Sequence, residues 1–278
     1  MGFAIFTTSG TFNPSSYGIV PGDLLNIVAI GGGGGGGGGG CAYKPSSTQY
    51  YGSGGNGGNA GAVVVGNVIL ASTASITVTV GAGGAGGTNS YDSSQSRYVA
   101  TNGSAGTASS FGSHVSAPGG AGGTAGQYSS LGTINNVNAV GFATGGSGGT
   151  PTAATGVYGP GGGGAGGWLP DVIQGSRNGA DAYTEETSAI GTGGACGYGK
   201  LTVYGAAGGK SATVQYGGAA AEGGHYYNNQ FNDRWPAGGG AGAGYGAGGG
   251  GGAGTANTST NGSGYGGKGA SGCVIIFW

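Results

Sequence analysis

Residues 24–45 read LLNIVAIGGGGGGGGGGCAYKP, a β-strand pattern that runs directly into ten consecutive glycines. Glycine has no Cβ, so such a run can form the extended threefold helix of the polyproline II type, rising ~3.1 Å per residue, with its backbone almost touching its neighbours. This helix has no internal hydrogen bonds, so neighbouring helices must pair its N–H and C=O groups. The run therefore predicts a bundle of hydrogen-bonded polyglycine II helices.

The overall composition is unusual for either a folded or a disordered protein. Glycine accounts for 80 of the 278 residues and charged residues for only 5%. A flexible Gly/Ser linker would be rich in glycine, but here 36% of the residues are hydrophobic and 9% are aromatic, which is not typical of disorder. Collagen requires glycine at every third position and abundant proline, whereas these glycines are contiguous and there are eight prolines. We therefore expect an ordered chain whose core is unconventional.

Charge and hydropathy argue against several classes of partner. The net charge is −1, so no broad basic field is present to hold nucleic acid or an anionic membrane. No apolar run approaches the ~20 residues that span a bilayer. The N-terminal MGFAIFTTSG lacks the basic region of a signal peptide, and three cysteines do not make a disulfide framework. We expect no nucleic acid, no membrane insertion and synthesis in a cytoplasm.

Three segments have β-strand patterns, at residues 23–30, 62–80 and 273–278. Because the first and last segments lie near the chain ends, they predict a small sheet at the base of the molecule, formed by residues 1–30 and 273–278. No segment has capped helical periodicity, and dense glycine disfavours a helix. The predicted fold class is therefore mostly irregular and β, with almost no α-helix.

Between the strands, residues 31–272 alternate glycine tracts, among them 31–40, 238–254 and 262–272, with polar and aromatic inserts, among them 88–104, without a fixed period. Ala, but rarely anything larger, interrupts the tracts, which is expected if a larger side chain would push neighbouring helices apart. We predict a single glycine-rich domain over residues 1–278, a bundle of polyglycine II helices closed by the base sheet.

Motifs for catalysis, metals or cofactors are weak. GAGGAGG at residues 81–87 resembles a dinucleotide fingerprint, but no predicted helix follows it. His114 and His225 are far apart, and no cysteine pair has zinc-ligand spacing. The adjacent Glu185 and Glu186 would point to opposite sides of an extended chain. We therefore predict no enzyme activity, no catalytic residue, no metal and no cofactor.

The inserts predict a binding surface, because they combine Tyr and Trp with Asn, Ser and Gly in the manner of a paratope. The insert at residues 222–238 is the strongest, since Trp, Tyr and Arg dominate binding hot spots. An alternative is that Tyr227 and Trp235 cap the bundle and shield it from water. The predicted receptor-binding residues are His225, Tyr226, Tyr227, Phe231, Arg234, Trp235, Trp168, Tyr183, Tyr50, Tyr51, Tyr91 and Tyr98.

Four stretches in the same order resemble the glycine-rich domains of bacteriophage tail fibres and tail-tip proteins. They are FTTSGTFNPSSYGIVPGDLLNIVAIGGGGGG (6–36), GNAGAVVVGNVILASTASITVTVGAGGAGG (58–87), GTASSFGSHVSAPGGAGG (106–123) and GYGGKGASGCVIIFW (264–278). The resemblance implies a receptor-binding role. The chain is similar in style to the adhesins of T-even-like phages, which fold their glycine tracts into a polyglycine II sandwich.

Together, the residues and the resemblance predict an adhesin at the tip of a phage tail fibre, carried on the virion after synthesis in the host cytoplasm. Its expected partner is a bacterial outer-membrane protein or a surface glycan, with contacts to another tail-fibre protein or to itself. One alternative is a structural fibre subunit or attachment module, with the VIIFW end as an assembly surface. Ice binding is a third, which requires a flat face of small residues that the bulky inserts disfavour.

Overall fold

The structure is a computed structural model. It describes residues 2–39, 51–52, 55–94, 97–126, 128–129, 202–203, 226–228, 234–236, 241–242, 244–252 and 265–278.

The two ends of the chain meet in a four-stranded antiparallel sheet, which we call the base sheet. In spatial order its strands are β1 (Phe3–Phe6), β15 (Cys273–Phe277), β3 (Leu24–Ile30) and β5 (Val63–Ile69). Strand β15 lies inside the sheet, because β1 pairs with it on one side and β3 on the other. The prediction that the chain ends form a β base is confirmed.

A second four-stranded sheet packs against the base sheet. Its strands, in spatial order, are β10 (Val115–Ala117), β9 (Ser109–Phe111), β6 (Ile76–Thr79) and β2 (Gly10–Phe12). The core between the sheets is apolar, and its largest fully buried side chains are Phe12, Phe111, Leu25, Ile27 and Ile276. Burial of each such side chain contributes ~1.5–3 kcal/mol. A conventional hydrophobic core is therefore present at this end of the molecule.

The remaining described strands are short. They are β4 (Tyr51–Gly52) paired with β11 (Tyr128–Ser129), β7 (Asn89–Asp92) paired with β8 (Arg97–Ala100), and β13 (Tyr226–Asn228) paired with β12 (Thr202–Val203) and β14 (Arg234–Pro236). The described residues contain one helical segment, the 3-10 turn η1 (Pro14–Tyr17). It ends at Gly18, whose φ of 71° favours glycine. The predicted fold class, mostly β and irregular, is confirmed.

Residues 31–38 continue directly from β3 and form the centre of a bundle; we call them the central tract. Each of their N–H groups donates to the carbonyl of another tract at 2.8–3.1 Å, and the accepting tract changes with a period of three. Gly31, Gly34 and Gly37 donate to the carbonyls of Ala62, Asn59 and Asn56. Gly32, Gly35 and Gly38 donate to those of Thr107, Ser104 and Thr101. Gly33 and Gly36 donate to those of Ala270 and Gly267. This threefold pattern is that of a polyglycine II helix.

Six tracts surround the central tract. Those that accept its N–H groups run antiparallel to it, and those that donate to its carbonyls run parallel. In order around the centre they are residues 55–62, 118–126, 101–107, 81–88, 265–272 and 246–252, alternating antiparallel and parallel. Each also bonds to the next in the ring, and 246–252 bonds back to 55–62. The seven described tracts thus form a closed hexagonal arrangement.

The direction of an added Cβ explains how many glycines each tract needs. At every one of positions 31–37 it would fall within 3.0 Å of a backbone carbonyl oxygen in a parallel tract, so no other residue fits. The parallel tract 81–88 is glycine at two positions of three, and its outward third position holds an exposed residue such as Ala85. In the antiparallel tract 101–107, Gly103 and Gly106 face the central tract, and the other positions are polar or small.

A buried serine joins the sheets to the bundle. The Ser109 side chain is fully buried, and its hydroxyl donates to the Ile30 carbonyl oxygen at 2.6 Å. The Ser109 hydroxyl oxygen also accepts from the Gly81 N–H at 2.9 Å. Ser109 therefore pairs two buried backbone groups at the point where β3 becomes the central tract.

Several sequence-based expectations were wrong in detail. Residues 62–80 form two strands in different sheets, β5 and β6, because the chain turns between them. Residues 101–104, expected to belong to an insert, lie in an antiparallel tract, because that tract needs glycine only at every third position. The run 238–254 bends where Gly244 and Gly246 take positive φ values. The VIIFW end is not an open assembly surface, since β15 lies inside the base sheet and most of its side chains are buried.

Candidate functional site

The end of the bundle opposite the base sheet, which we call the far end, is where the described tracts turn round. Tract 81–88 leaves β6 and reaches the far end, and tract 101–107 returns from it to β9. The strands β7 and β8 connect these two tracts. The hairpin that they form therefore projects from the far end.

The β7–β8 hairpin brings two predicted receptor-binding residues together. Tyr91 is registered directly opposite Tyr98, and Asp92 is opposite Arg97. An Asp92 carboxylate oxygen accepts hydrogen bonds from the N–H and the hydroxyl of Ser94, at 2.9 and 2.6 Å. These bonds close the turn at Asp92, as Asx turns do. Two tyrosines 7 positions apart in sequence are thus directly opposite each other on the paired strands β7 and β8.

A second pair of strands lies at the same end. Strand β11 follows the outgoing tract 118–126, and β4 precedes the returning tract 55–62. Tyr51, a predicted site residue, is registered opposite Ser129, and Gly52 opposite Tyr128. The sheet β4–β11 therefore places Tyr51 at the far end together with Tyr128, which the sequence analysis did not select.

Tyr265 is a further aromatic residue at the far end. It begins the returning tract 265–272, and the N–H of the next residue, Gly266, donates to the carbonyl of Gly87, near the outer end of its own tract. The Tyr265 side chain is 57% exposed. Tyr265 was not among the predicted site residues, because it falls in the predicted glycine tract 262–272; the available signal was an aromatic residue near a tract boundary.

The strongest predicted insert contributes a hairpin of its own. In the sheet β12–β13–β14, Tyr227 is registered opposite Trp235, Tyr226 opposite Pro236, and Asn228 opposite Arg234. Four predicted site residues therefore share one hairpin. Val203 and Thr202 extend the ladder on the other side of β13.

The chain matches a known protein family. The family described as a glycine-rich domain matches residues 7–278. The chain belongs to this family. No curated protein matches the sequence of this glycine-rich domain. The match thus includes β3, β5 and β15 of the base sheet and the β7–β8 hairpin at the far end.

Five of the predicted residues of the glycine-rich domain lie outside the residues that the structure describes. They are His225, Phe231, Trp168, Tyr183 and Tyr50. Their assignment to a receptor-binding surface stays a prediction. The other seven lie in β4, β7, β8, β13 and β14, and all seven are in paired strands.

The chemistry available in the described part of the glycine-rich domain is limited. Within those residues, no group of three or more His, Cys, Asp or Glu side chains could hold a metal ion. Across the same residues, no helix has the length and apolar character needed to cross a membrane. Burial raises the pKa of the Cys273 thiol to about 12, because the desolvated thiolate is disfavoured. Cys273 is therefore a neutral, inert thiol near neutral pH.

A second set of exposed side chains lies at the base of the glycine-rich domain. Phe3, Ile5, Leu24 and Ile69 are between 48 and 69% exposed on the base sheet. Phe3 and Ile5 lie on the edge strand β1, and Ile69 ends the opposite edge strand β5. The sequence predicts that these residues lie in strands. Their exposure could not be predicted, because it depends on which parts of the base sheet other elements cover.

Proposed function

We propose that this glycine-rich domain is an adhesin at the tip of a phage tail fibre, which recognises a bacterial surface receptor through the aromatic hairpins at its far end. The observation that carries the proposal is the grouping of Tyr51, Tyr91 and Tyr98 in short strands that extend beyond a rigid bundle. Rigid scaffolds with loops at one end are a common design for recognition. The receptor would be an outer-membrane protein or a surface glycan.

The bundle supports the proposal by its stiffness. Neighbouring tracts are joined by backbone hydrogen bonds of 2.7–3.1 Å on several sides of each tract. A hairpin fixed at both ends to such tracts loses little additional freedom on binding, which lowers the cost of recognition. Tyrosine adds a large contact area for few lost rotamers. Tyr265, exposed at the same end, belongs to the proposed surface.

The proposal is tested by binding of the fluorescently labelled domain to a panel of Gram-negative cells and to their outer-membrane vesicles. We expect the triple variant Tyr91→Ala, Tyr98→Ala, Tyr265→Ala to bind at least about tenfold more weakly, since hot-spot aromatics contribute about 2 kcal/mol or more each. The matched control removes an exposed aromatic at the other end, Phe3→Ala, and should leave cell binding unchanged. Exchange of residues 222–238 for those of a relative should alter the range of cells bound.

A structural or attachment role is the second candidate, and the exposed apolar side chains of the base sheet favour it. Exposed apolar patches of this kind commonly mark protein contacts. In that case Phe3→Ser with Ile69→Ser would abolish assembly with the fibre, and the far-end variants would bind cells as the unmodified domain does. That second result would refute the adhesin proposal.

A further inference from the structure

The antiparallel tract 101–107 contains the dipeptide Asn102–Gly103, the sequence in which asparagine is chemically least stable. In a flexible chain the backbone nitrogen of the glycine loses its proton and attacks the side-chain amide carbon of the asparagine. A C–N bond forms, ammonia leaves, and the resulting five-membered imide is opened by water at either carbonyl. The products are aspartate or isoaspartate, and no oxidant or reductant is needed.

Asn102 is exposed, so water and hydroxide have access to it, yet both reacting groups are held by the bundle. The attacking nitrogen, that of Gly103, donates its proton to the carbonyl oxygen of Gly123 at 2.8 Å. The side-chain oxygen of Asn102 accepts from the N–H of Ala125 at 2.8 Å. Ring closure would require both bonds to break and the amide carbon to turn toward Gly103.

The two products differ in their effect on the bundle. Aspartate leaves the main chain unchanged, and its carboxylate can still accept from the N–H of Ala125. Isoaspartate places an additional carbon atom in the main chain between residues 102 and 103. The carbonyls of Thr101 and Ser104 accept from Gly38 and Gly35 of the central tract with a period of three, which an extra atom destroys.

We propose that Asn102–Gly103 is a deamidation site that the folded bundle protects, and that isoaspartate formed there in an unfolded chain prevents the bundle from forming again. The extent of isoaspartate formation at Asn102 would therefore limit the fraction of the protein that can fold. A brief opening of the bundle is reversible. Once the imide has formed and been hydrolysed to isoaspartate, the opening is irreversible, as is usual when an unfolded chain is chemically modified.

The first test measures the rate of deamidation at Asn102 by peptide mapping and mass spectrometry, at alkaline pH, for the whole chain and for a synthetic peptide of residues 97–107. We expect the folded chain to react at least about tenfold more slowly than the peptide, because reaction requires local opening. In denaturant sufficient to unfold the chain, the rate should rise to that of the peptide. Equal rates for folded chain and peptide would overturn the proposal, whatever the refolding behaviour.

The second test follows refolding. Chains aged in denaturant are refolded, and the folded and unfolded fractions are separated and mapped for isoaspartate. Isoaspartate at position 102 should be depleted in the folded fraction by at least about tenfold, because the longer main chain cannot keep the carbonyls of Thr101 and Ser104 bonded to the central tract. The control, Asn102→Asp, should refold as the unmodified chain does. Isoaspartate distributed equally between the two fractions would refute the proposed block.

Discussion

Replacement of Gly34 by alanine should strongly destabilise the protein, although it adds a single methyl group. Gly34 lies in the middle of the central tract, and its N–H and C=O groups are both bonded to ring tracts. The new Cβ would fall within 3.0 Å of the Ala121 carbonyl oxygen and 2.5 Å from its carbon. Both atoms belong to backbone, so no side-chain rotation can relieve the clash.

The cost follows from the distance that tract 118–126 must move. Ordinary van der Waals contact begins at 3.4 Å, so clearing the Ala121 carbonyl carbon alone requires the two tracts to separate by at least about 0.9 Å, and clearing the nearer carbonyl oxygen requires more. The flanking bonds from Gly120 to Gly32 and from Gly123 to Gly35 are 2.8 Å long and would lengthen beyond hydrogen-bonding distance. A buried unpaired group costs ~1–3 kcal/mol. Loss of two bonds therefore costs about 2–6 kcal/mol, against a total stability of ~5–15 kcal/mol for a typical domain.

Urea unfolding, monitored by tryptophan fluorescence and amide hydrogen exchange, measures this effect. The matched control is Gly10→Ala, where an added Cβ would lie 3.5 Å from the nearest Phe6 ring carbon. We expect Gly10→Ala to be neutral or slightly stabilising, because alanine reduces the freedom of the unfolded chain. If the Gly34→Ala and Gly10→Ala variants unfold at the same urea concentration, the close backbone packing of the central tract does not stabilise the bundle as described.

Three further changes test other parts of the structure. Ser109→Ala should lower the free energy of unfolding by ~1–3 kcal/mol, since two buried backbone groups lose their partner, whereas Ser110→Ala on the same strand should change it by less than ~0.5 kcal/mol; urea unfolding of both decides. Thr107→Val removes the hydroxyl that accepts from the Ala82 N–H at 2.7 Å; it should cost ~1 kcal/mol and speed hydrogen exchange at that amide. Between pH 9 and about 12 the unfolded chain releases the Cys273 proton and the folded chain keeps it, so stability should fall by up to ~1.4 kcal/mol per pH unit. Below pH 9 this thiol is neutral in both states and contributes no slope; Cys273→Ala should remove its share of the alkaline loss, and an unchanged slope would contradict the assignment.

The central tract and the strands flanking it were predictable from sequence, because a run of ten glycines has few alternatives once the rest of the chain is rich in aromatic residues. The tract TNGSAGT at residues 101–107 was not predicted. Its two glycines suffice because only one position in three faces the centre. The same rule allows Lys268 to lie exposed within the returning tract 265–272. A parallel ring tract such as 81–88 has glycine at two positions of three and an antiparallel one such as 101–107 at one position of three, and composition alone does not separate the second pattern from a polar loop.

The residues of the candidate site were predictable in kind but not in arrangement. The mixture of Tyr with small polar residues is visible in the sequence itself and is typical of a recognition surface. The pairing of Tyr91 with Tyr98 depends on the register of a hairpin, which the turn determines. Tyr265 was missed because its position at the far end follows from the direction of its tract, a property of the whole bundle.

The sheets at the base have a role that the tracts cannot perform for themselves. Ordering a glycine costs ~0.5–1 kcal/mol more conformational free energy than ordering an alanine, so an isolated tract is not expected to become ordered. In this structure every tract of the bundle except 246–252 begins or ends within two residues of a strand in the two larger sheets, as the central tract does at β3 and tract 101–107 does at β9. Paired strands lie ~4.8 Å apart because backbone hydrogen bonds set that distance, and the same bonds join the tracts. The hydrophobic sandwich therefore aligns these six tracts in direction and phase at the end of each tract that adjoins a strand, and every turn further from the sheets adds bonds to an alignment that already exists. It follows that a far-end hairpin can change in length and sequence without disturbing the bundle, since the order of the tracts is determined at the opposite end.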